Sequence, residues 1–160
     1  MKHFLKPKNQ GRIKNPDAIG EAGNILCGDV MKIYLKIGKR KGKFFIKDIK
    51  FETLGCVVAI ANSSLLTEMA KGKFLDEVLK IKKDDLVKKL GKVPPIKIHC
   101  SVLALEALHE AIYNYLKKKG LPIPKILERT HKRVEKIRKE IEERYEDFVK
   151  MDREMLGKND

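Results

Sequence analysis

Hydrophobic positions recur along this chain with two different periods. Over 101–119, Val102, Leu103, Leu105, Ala107, Leu108, Ala111, Ile112, Tyr115 and Leu116 form a broad apolar stripe at helical spacing. Lys117-Lys118-Lys119-Gly120 then supplies the cations and the glycine that a helix C-terminus favours. Residues 30–37 and 44–51 have strand composition instead, and Lys39-Arg40-Lys41-Gly42 between them predicts a hairpin. A third short strand is expected at 52–56, which leaves Cys56 at a strand-to-helix junction, with Gly55 marking close packing or an unusual dihedral. Residues 58–71 alternate small and large apolar side chains and read as a packed helix ended by Gly72. A short helix is expected at 75–80, and another opens at Lys83-Asp84-Asp85-Leu86 and closes at Gly91. Val93-Pro94-Pro95 forces an extended loop. Residues 1–29 are rich in Gly, Pro and Asn, show no sustained period, and read as an irregular, mobile arm.

Past a stiff Leu121-Pro122-Ile123-Pro124 linker, Leu127, Thr130, Val134, Ile137, Ile141, Tyr145 and Phe148 trace a stripe of three- and four-residue steps through a highly charged segment, and Met155 follows one heptad later. This predicts one long amphipathic helix over 124–156 with coiled-coil character. Its stripe must be buried somewhere. The linker makes a tight fold-back awkward, so the expectation is a homo-oligomer through residues 124–156. The pattern thus predicts an α+β fold: a small antiparallel β-sheet of about three strands against several α-helices, with an additional C-terminal helix. The division is residues 1–120 for the domain and 121–160 for a helical extension.

Composition narrows the function. A chain of 160 residues with 42% apolar side chains builds one domain plus an appendage. No stretch approaches the ~20 apolar residues of a membrane span, and the N-terminus lacks the apolar run of a signal peptide. A cytoplasmic protein with reduced thiols is expected, and three cysteines cannot all pair within one chain. The net charge of +14 invites a nucleic-acid reading. Residues 121–160 are nearly balanced, however, with 11 Lys or Arg against 10 Asp or Glu, and the excess elsewhere is mostly scattered lysine. With 6% aromatic residues, no Trp and little arginine to read guanine, the composition weighs against nucleic acid. It fits a solvated surface or attraction to acidic protein partners.

The three cysteines stand in separate phrases: Cys27-Gly28-Asp29, Gly55-Cys56-Val57, and Ile98-His99-Cys100-Ser101. Asp29 and His99 are themselves possible metal ligands, although a turn-capping Asp and an ordinary loop imidazole are equally good local readings. Three thiolates with one weaker, replaceable ligand form an incomplete tetrahedral set, suited to a cargo that must later leave. Cys100 is expected in the first turn of the 101–119 helix, where the backbone N–H groups, with Lys97 and His99 nearby, would favour a thiolate. It is the best candidate for a sulfur acceptor. A lone buried Cys is usually inert, and it is the presence of three at element boundaries that reverses this. His3, His109 and His131 have no cysteine nearby in sequence and read as surface or packing residues.

Together these phrases resemble the IscU/NifU N-terminal family of iron–sulfur cluster assembly scaffolds, over about residues 3–119. The motifs are His3-Phe4-Leu5-Lys6-Pro7-Lys8-Asn9-Gln10-Gly11, Cys27-Gly28-Asp29-Val30-Met31, Phe51-Glu52-Thr53-Leu54-Gly55-Cys56 followed by Ala59-Ile60-Ala61-Asn62-Ser63-Ser64 and Thr67-Glu68-Met69, and Pro94 to Ser101. The resemblance implies an IscU-like α+β scaffold domain over residues 1–120. It implies that Cys27, Cys56 and Cys100 hold a nascent [2Fe–2S] cluster, with Asp29 or His99 as exchangeable fourth ligand and zinc common in the same site. It implies iron binding, sulfur delivery by a cysteine desulfurase, transfer to apo iron–sulfur proteins, and recognition of Pro94-Pro95-Ile96-Lys97 by an Hsp70-type chaperone. Such a protein is a scaffold and not an enzyme in the ordinary sense. The alternative is a zinc-dependent sulfur acceptor that stimulates a desulfurase.

Three departures from the family pattern stand out. Val57 follows the second cysteine where the family often has glycine. Leu105-Glu106 replaces an acidic pair early in the last common helix. The helix over 124–156 lies outside the common domain.

Overall fold

The computed structural model describes residues 2–23, 29–91 and 98–157. In chain order the elements are α1 (Lys2–Leu5), β1 (Ala18–Gly23), β2 (Val30–Arg40), β3 (Lys43–Leu54), α2 (Val57–Ala70), α3 (Leu75–Val78), α4 (Lys83–Leu90), α5 (His99–Lys119) and α6 (Lys125–Gly157). The strands form one antiparallel sheet in the order β1-β2-β3, with the helices packed on its apolar face. The expected α+β fold and all the helices expected from 58 onward are present. None of the helices described is long and apolar enough to cross a membrane.

The third strand is not where the sequence pattern put it. Residues 52–54 continue β3, and the extra strand is β1, inside the segment read as an irregular arm. Ala18-Ile19-Gly20-Glu21-Ala22-Gly23 has a single β-branched residue, Ile19, and is otherwise poor in the bulky residues that signal a strand. Its small side chains are what the packing needs. A Cβ on Gly20 would fall on the backbone of Ala107 and Ala111, so α5 lies directly against the strand. The arm itself is anchored further upstream. Phe51 N–H donates to Asn9 O at 3.0 Å and Gly11 N–H to Phe51 O at 2.8 Å, which covers the outer edge of β3.

The hairpin turn is Lys41-Gly42, both with positive φ (52° and 77°), as a two-residue turn of right-handed strands requires. Ile46 and Ile49 are an odd number of residues apart yet both are fully buried. A bulge at Lys47 allows this: Lys36 pairs with Asp48 and Ile37 with Ile46. With Met31, Ile33, Leu35 and Phe51 they present one continuous apolar face to α2 and α5.

The expectation that the C-terminal helix packs on another chain is corrected over its first half. Gly120, left-handed at φ 68°, ends α5 with Leu121 N–H bonded to Leu116 O at 3.0 Å and Gly120 N–H to Lys117 O at 3.2 Å. The chain reverses there, and the prolines follow a turn already made. α6 then folds back on α5 and β1. Leu127, Thr130 and Val134 are buried, Arg133 Nε meets the buried Glu106 at 2.6 Å, and His109 Nδ1 lies 3.2 Å from Thr130 Oγ1. Glu106, one of the departures from the family pattern, therefore has its partner on α6. Further along, Ile141, Tyr145 and Met151 are exposed. Ile141 still reaches the end of β1: a Cβ on Gly23 would lie 3.5 Å from Ile141 Cδ1 and 3.8 Å from Asp29 O.

Burial, helped by Arg133, holds His109 below its ordinary 6.5, at about 4. The unfolded chain therefore binds a proton that the fold excludes, and the stability tied to neutral His109 is full above pH 6.5 and lost as pH falls towards 4. Glu106 and Glu110 on the same contact are shifted up by burial and act in the opposite sense, losing stability as pH rises through their raised values. Comparison with His109→Gln isolates the histidine. In urea denaturation between about pH 7 and pH 4, wild type is expected to lose up to ~3 kcal/mol more than the variant. Parallel pH profiles would show that His109 is not buried neutral.

Candidate metal centre

Three elements begin at one place. Asp29 immediately precedes β2, Cys56 caps the start of α2 with extended backbone (φ −78°, ψ 172°), and Cys100 is the second residue of α5. Cys56 Sγ and Cys100 Sγ are 3.5 Å apart, in thiol contact and not bonded, and Cys100 Sγ–H donates to Asp29 Oδ2 at 3.7 Å. One ligand atom from each of the three residues lies within 4.8 Å of the others. A tetrahedral ion with metal–sulfur bonds of about 2.3 Å and metal–oxygen bonds of about 2.1 Å sets S···S near ~3.8 Å and S···O near ~3.6 Å. The donor set is thus spaced for a metal without rearrangement of the scaffold. Cys100 and Asp29 are buried while Cys56 is half-buried, so the group has a sheltered side and an open side.

Gly55 makes room for the carboxylate. A Cβ there would come 3.2 Å from Asp29 Cγ, 3.1 Å from Ala59 Cβ and 3.3 Å from Thr53 Oγ1. Close packing, not an unusual dihedral, is therefore the reason for this glycine. Neither α2 nor α5 carries an acidic residue in its first turn, so two helix N-termini face the site without carboxylates of their own. Val57, which stands where the family often has glycine, is the half-exposed first residue of α2.

The expected thiolate at Cys100 is not favoured in this geometry. Burial pushes its thiol up from the ordinary value, and contact with Cys56 and the Asp29 carboxylate push the same way. The helix terminus does not outweigh removal from water. A cation is what would reverse the balance, because a coordinated thiol gives up its proton.

The structure brings together Asp29, Cys56 and Cys100 of the residues singled out from sequence. Cys27 and the segment Pro94-Pro95-Ile96-Lys97 lie outside the described residues. His99 is the first residue of α5, next to Cys100, and its side chain is also outside the description.

Sequence reasoning missed the polar clasp that holds the two cysteine-bearing helices together. Ser101 Oγ–H donates to Asn62 Oδ1 at 2.7 Å, both side chains fully buried, and Asn62 Nδ2 donates to Val58 O at 2.9 Å. Beside it Ser63 Oγ–H donates to Ala59 O at 2.8 Å, and Ser64 Oγ accepts from Lys8 N–H at 2.7 Å. The available signal was the polar run Asn62-Ser63-Ser64 with Thr67 on a helix that is otherwise small and apolar.

Residues 1–121 match the model of the NifU-like N terminal domain, and the chain belongs to that family. It is 49% identical over 118 residues to a protein of Archaeoglobus fulgidus named iron–sulfur cluster assembly scaffold protein IscU 1, covering 74% of each chain. It is 44% identical over 120 residues to the protein of Aquifex aeolicus named iron–sulfur cluster assembly scaffold protein IscU, covering 75% of each. Among solved structures, a NifU-like N-terminal protein from Brucella abortus superposes with a TM-score of 0.57 at 22% identity, over 73% of this chain and 91% of that one, a likeness of fold. The family match ends at the linker that precedes α6.

Removing one partner of the clasp leaves a buried polar group unmet. Asn62→Ala and Ser101→Ala should each destabilise by about 1–3 kcal/mol in chemical denaturation. The double variant should cost clearly less than the sum, since the second change removes a group already orphaned. Additive costs would mean that the two side chains do not act as a pair.

Proposed function

We propose that this chain is a scaffold on which an iron–sulfur cluster is built and from which it is passed to apo-proteins. The observation that carries the reading is the contact of Cys56, Cys100 and Asp29 at tetrahedral metal spacing, where two helices and a strand begin. Cys27 supplies the third thiolate. It stands two residues from Asp29, at most about 7 Å of chain, and so is within reach of the same ion. The cargo is a [2Fe–2S] cluster held by Cys27, Cys56 and Cys100, with Asp29 or His99 as the exchangeable fourth ligand.

Each residue has a chemical task in this reading. Cys100, with Lys97 and His99 alongside, accepts sulfur from a cysteine desulfurase. Thiolates suit iron and sulfide better than oxygen donors do, so three of them retain the cluster. Asp29 is the weak point, a hard carboxylate among soft ligands, and it opens the site for transfer. An Hsp70-type chaperone engages Pro94-Pro95-Ile96-Lys97, whose two prolines leave it poor in backbone donors. The product leaves bound to another protein, so the role is scaffolding and not turnover.

The same spacing favours a second reading, in which a single zinc ion occupies the site and Cys100 serves as sulfur acceptor without cluster assembly. Anaerobic reconstitution with iron and a sulfur source separates the two. The scaffold reading requires visible charge-transfer absorption and equal amounts of bound iron and sulfide. Retention of zinc with no bound sulfide would support the second.

Cys27→Ser, Cys56→Ser and Cys100→Ser should each abolish or severely weaken cluster retention in that assay, because a hydroxyl is a poor substitute for a thiolate. Three single variants that hold a cluster as well as wild type would overturn the ligand assignment. Asp29→Ala should lengthen cluster lifetime and slow transfer to an apo-ferredoxin-type acceptor. Faster loss of the cluster from this variant would assign Asp29 to retention.

A further inference from the structure

The contact between α5 and α6 holds a second group of potential ligands, which begins ten residues after Cys100 along α5. Glu110 on α5 is 2% exposed. One of its oxygens meets His131 Nδ1 at 2.7 Å, while the other, Oε2, is buried with no hydrogen-bond partner among the described residues. His131 and Glu135 are four residues apart on α6, so they share one face of the helix. One ligand atom from each of Glu110, His131 and Glu135 lies within 4.8 Å of the other two. The imidazole is held flat against Tyr113, with ring centroids 4.0 Å apart and planes 11° apart.

We propose that Glu110, His131 and Glu135 bind one first-row divalent cation of the zinc class, tying the C-terminal helix to the scaffold domain. Two facing helices that supply an imidazole and carboxylates make a familiar form of bundle metal site. A borderline cation suits the mixed donors: imidazole favours Zn2+, Co2+ and Fe2+ over the alkaline-earth ions, and carboxylates complete the set. The Glu110 carboxylate, buried and with one oxygen unpartnered among the described residues, gains a cation as partner. Binding displaces the hydrogen bond between His131 Nδ1 and Glu110, and the two ligand atoms part from 2.7 Å to about 3.3 Å around the ion. Arg138, whose Nη1 lies 2.8 Å from Glu135 Oε1, is the competing cation, and its half-exposed side chain has room to move aside.

Co2+ titration of the reduced full-length protein tests this independently of the cysteine site. Cobalt bound to thiolates gives intense near-ultraviolet charge transfer, whereas cobalt bound only to nitrogen and oxygen gives weak visible bands without it. Wild type is expected to show a component of the second kind, and Co2+ to raise the melting temperature. Glu110→Gln should weaken that component by about tenfold or more and leave the thiolate component unchanged. Glu135→Gln, on the accessible flank of α6, removes a ligand without touching the buried face and should do the same, with circular dichroism confirming the fold. The proposal is overturned if wild type shows only the thiolate component, or if both variants bind at this site as tightly as wild type. Loss of the thiolate component alone would count against the cysteine site and leave this one standing.

Discussion

The site depends on how closely α5 can approach the sheet. Gly20 leaves no side chain between β1 and the helix backbone at Ala107 and Ala111, and the long helix is thereby fixed across the strands. Its N-terminus then falls where β2 begins and β3 ends. The buried Ser101–Asn62 hydrogen bond draws the start of α2 to the same point. Two cysteines on different helices come into contact as a result, with no loop geometry needed to place them. Close packing of small residues sets the position, and a buried polar pair sets the orientation.

That arrangement creates an electrostatic tension. Two helix N-termini favour negative charge at the site, yet Cys100 is buried against a second thiol and a carboxylate, and its thiol is pushed up. A bound cation would resolve the tension, because a coordinated thiol gives up its proton and the resulting thiolate faces both helix ends. A thiol that keeps its proton is poorly reactive and resists oxidation. Cys56, half-buried, forms the open side of the group.

The C-terminal helix is an integral wall of the molecule over its first half. Leu127 and Val134 complete the core, while an ion pair, Glu106–Arg133, and a hydrogen bond, Glu110–His131, join polar groups across the contact. Burying such groups is costly unless each is paired, which makes α6 specific for this surface of α5. Beyond Ile137 the apolar stripe turns outward, and Ile141 stands beside the strand end next to Asp29.

Local chemistry was enough to determine the helices from 58 onward, the Lys41-Gly42 hairpin, the three cysteine phrases and the resemblance they carry, because periodicity, turn residues and ligand types are properties of neighbouring residues. Other features depend on partners far away in the chain. β1 is a strand because β2 and α5 accept its small residues, not because Ala18-Ile19-Gly20-Glu21-Ala22-Gly23 prefers that form. The Lys47 bulge exists to bring Ile46 and Ile49 into one core. The polar run on α2 became a clasp only when Ser101 met it, and the thiol of Cys100 was shifted up only by burial against Cys56 and Asp29. The direction of α6 was decided in the same way: its stripe announced that it must be buried, and the left-handed turn at Gly120, with Glu106, His109 and Glu110 waiting on α5, decided against what. Sequence fixes which groups are available and their local conformation, whereas desolvation and pairing between distant groups arise only when the chain folds.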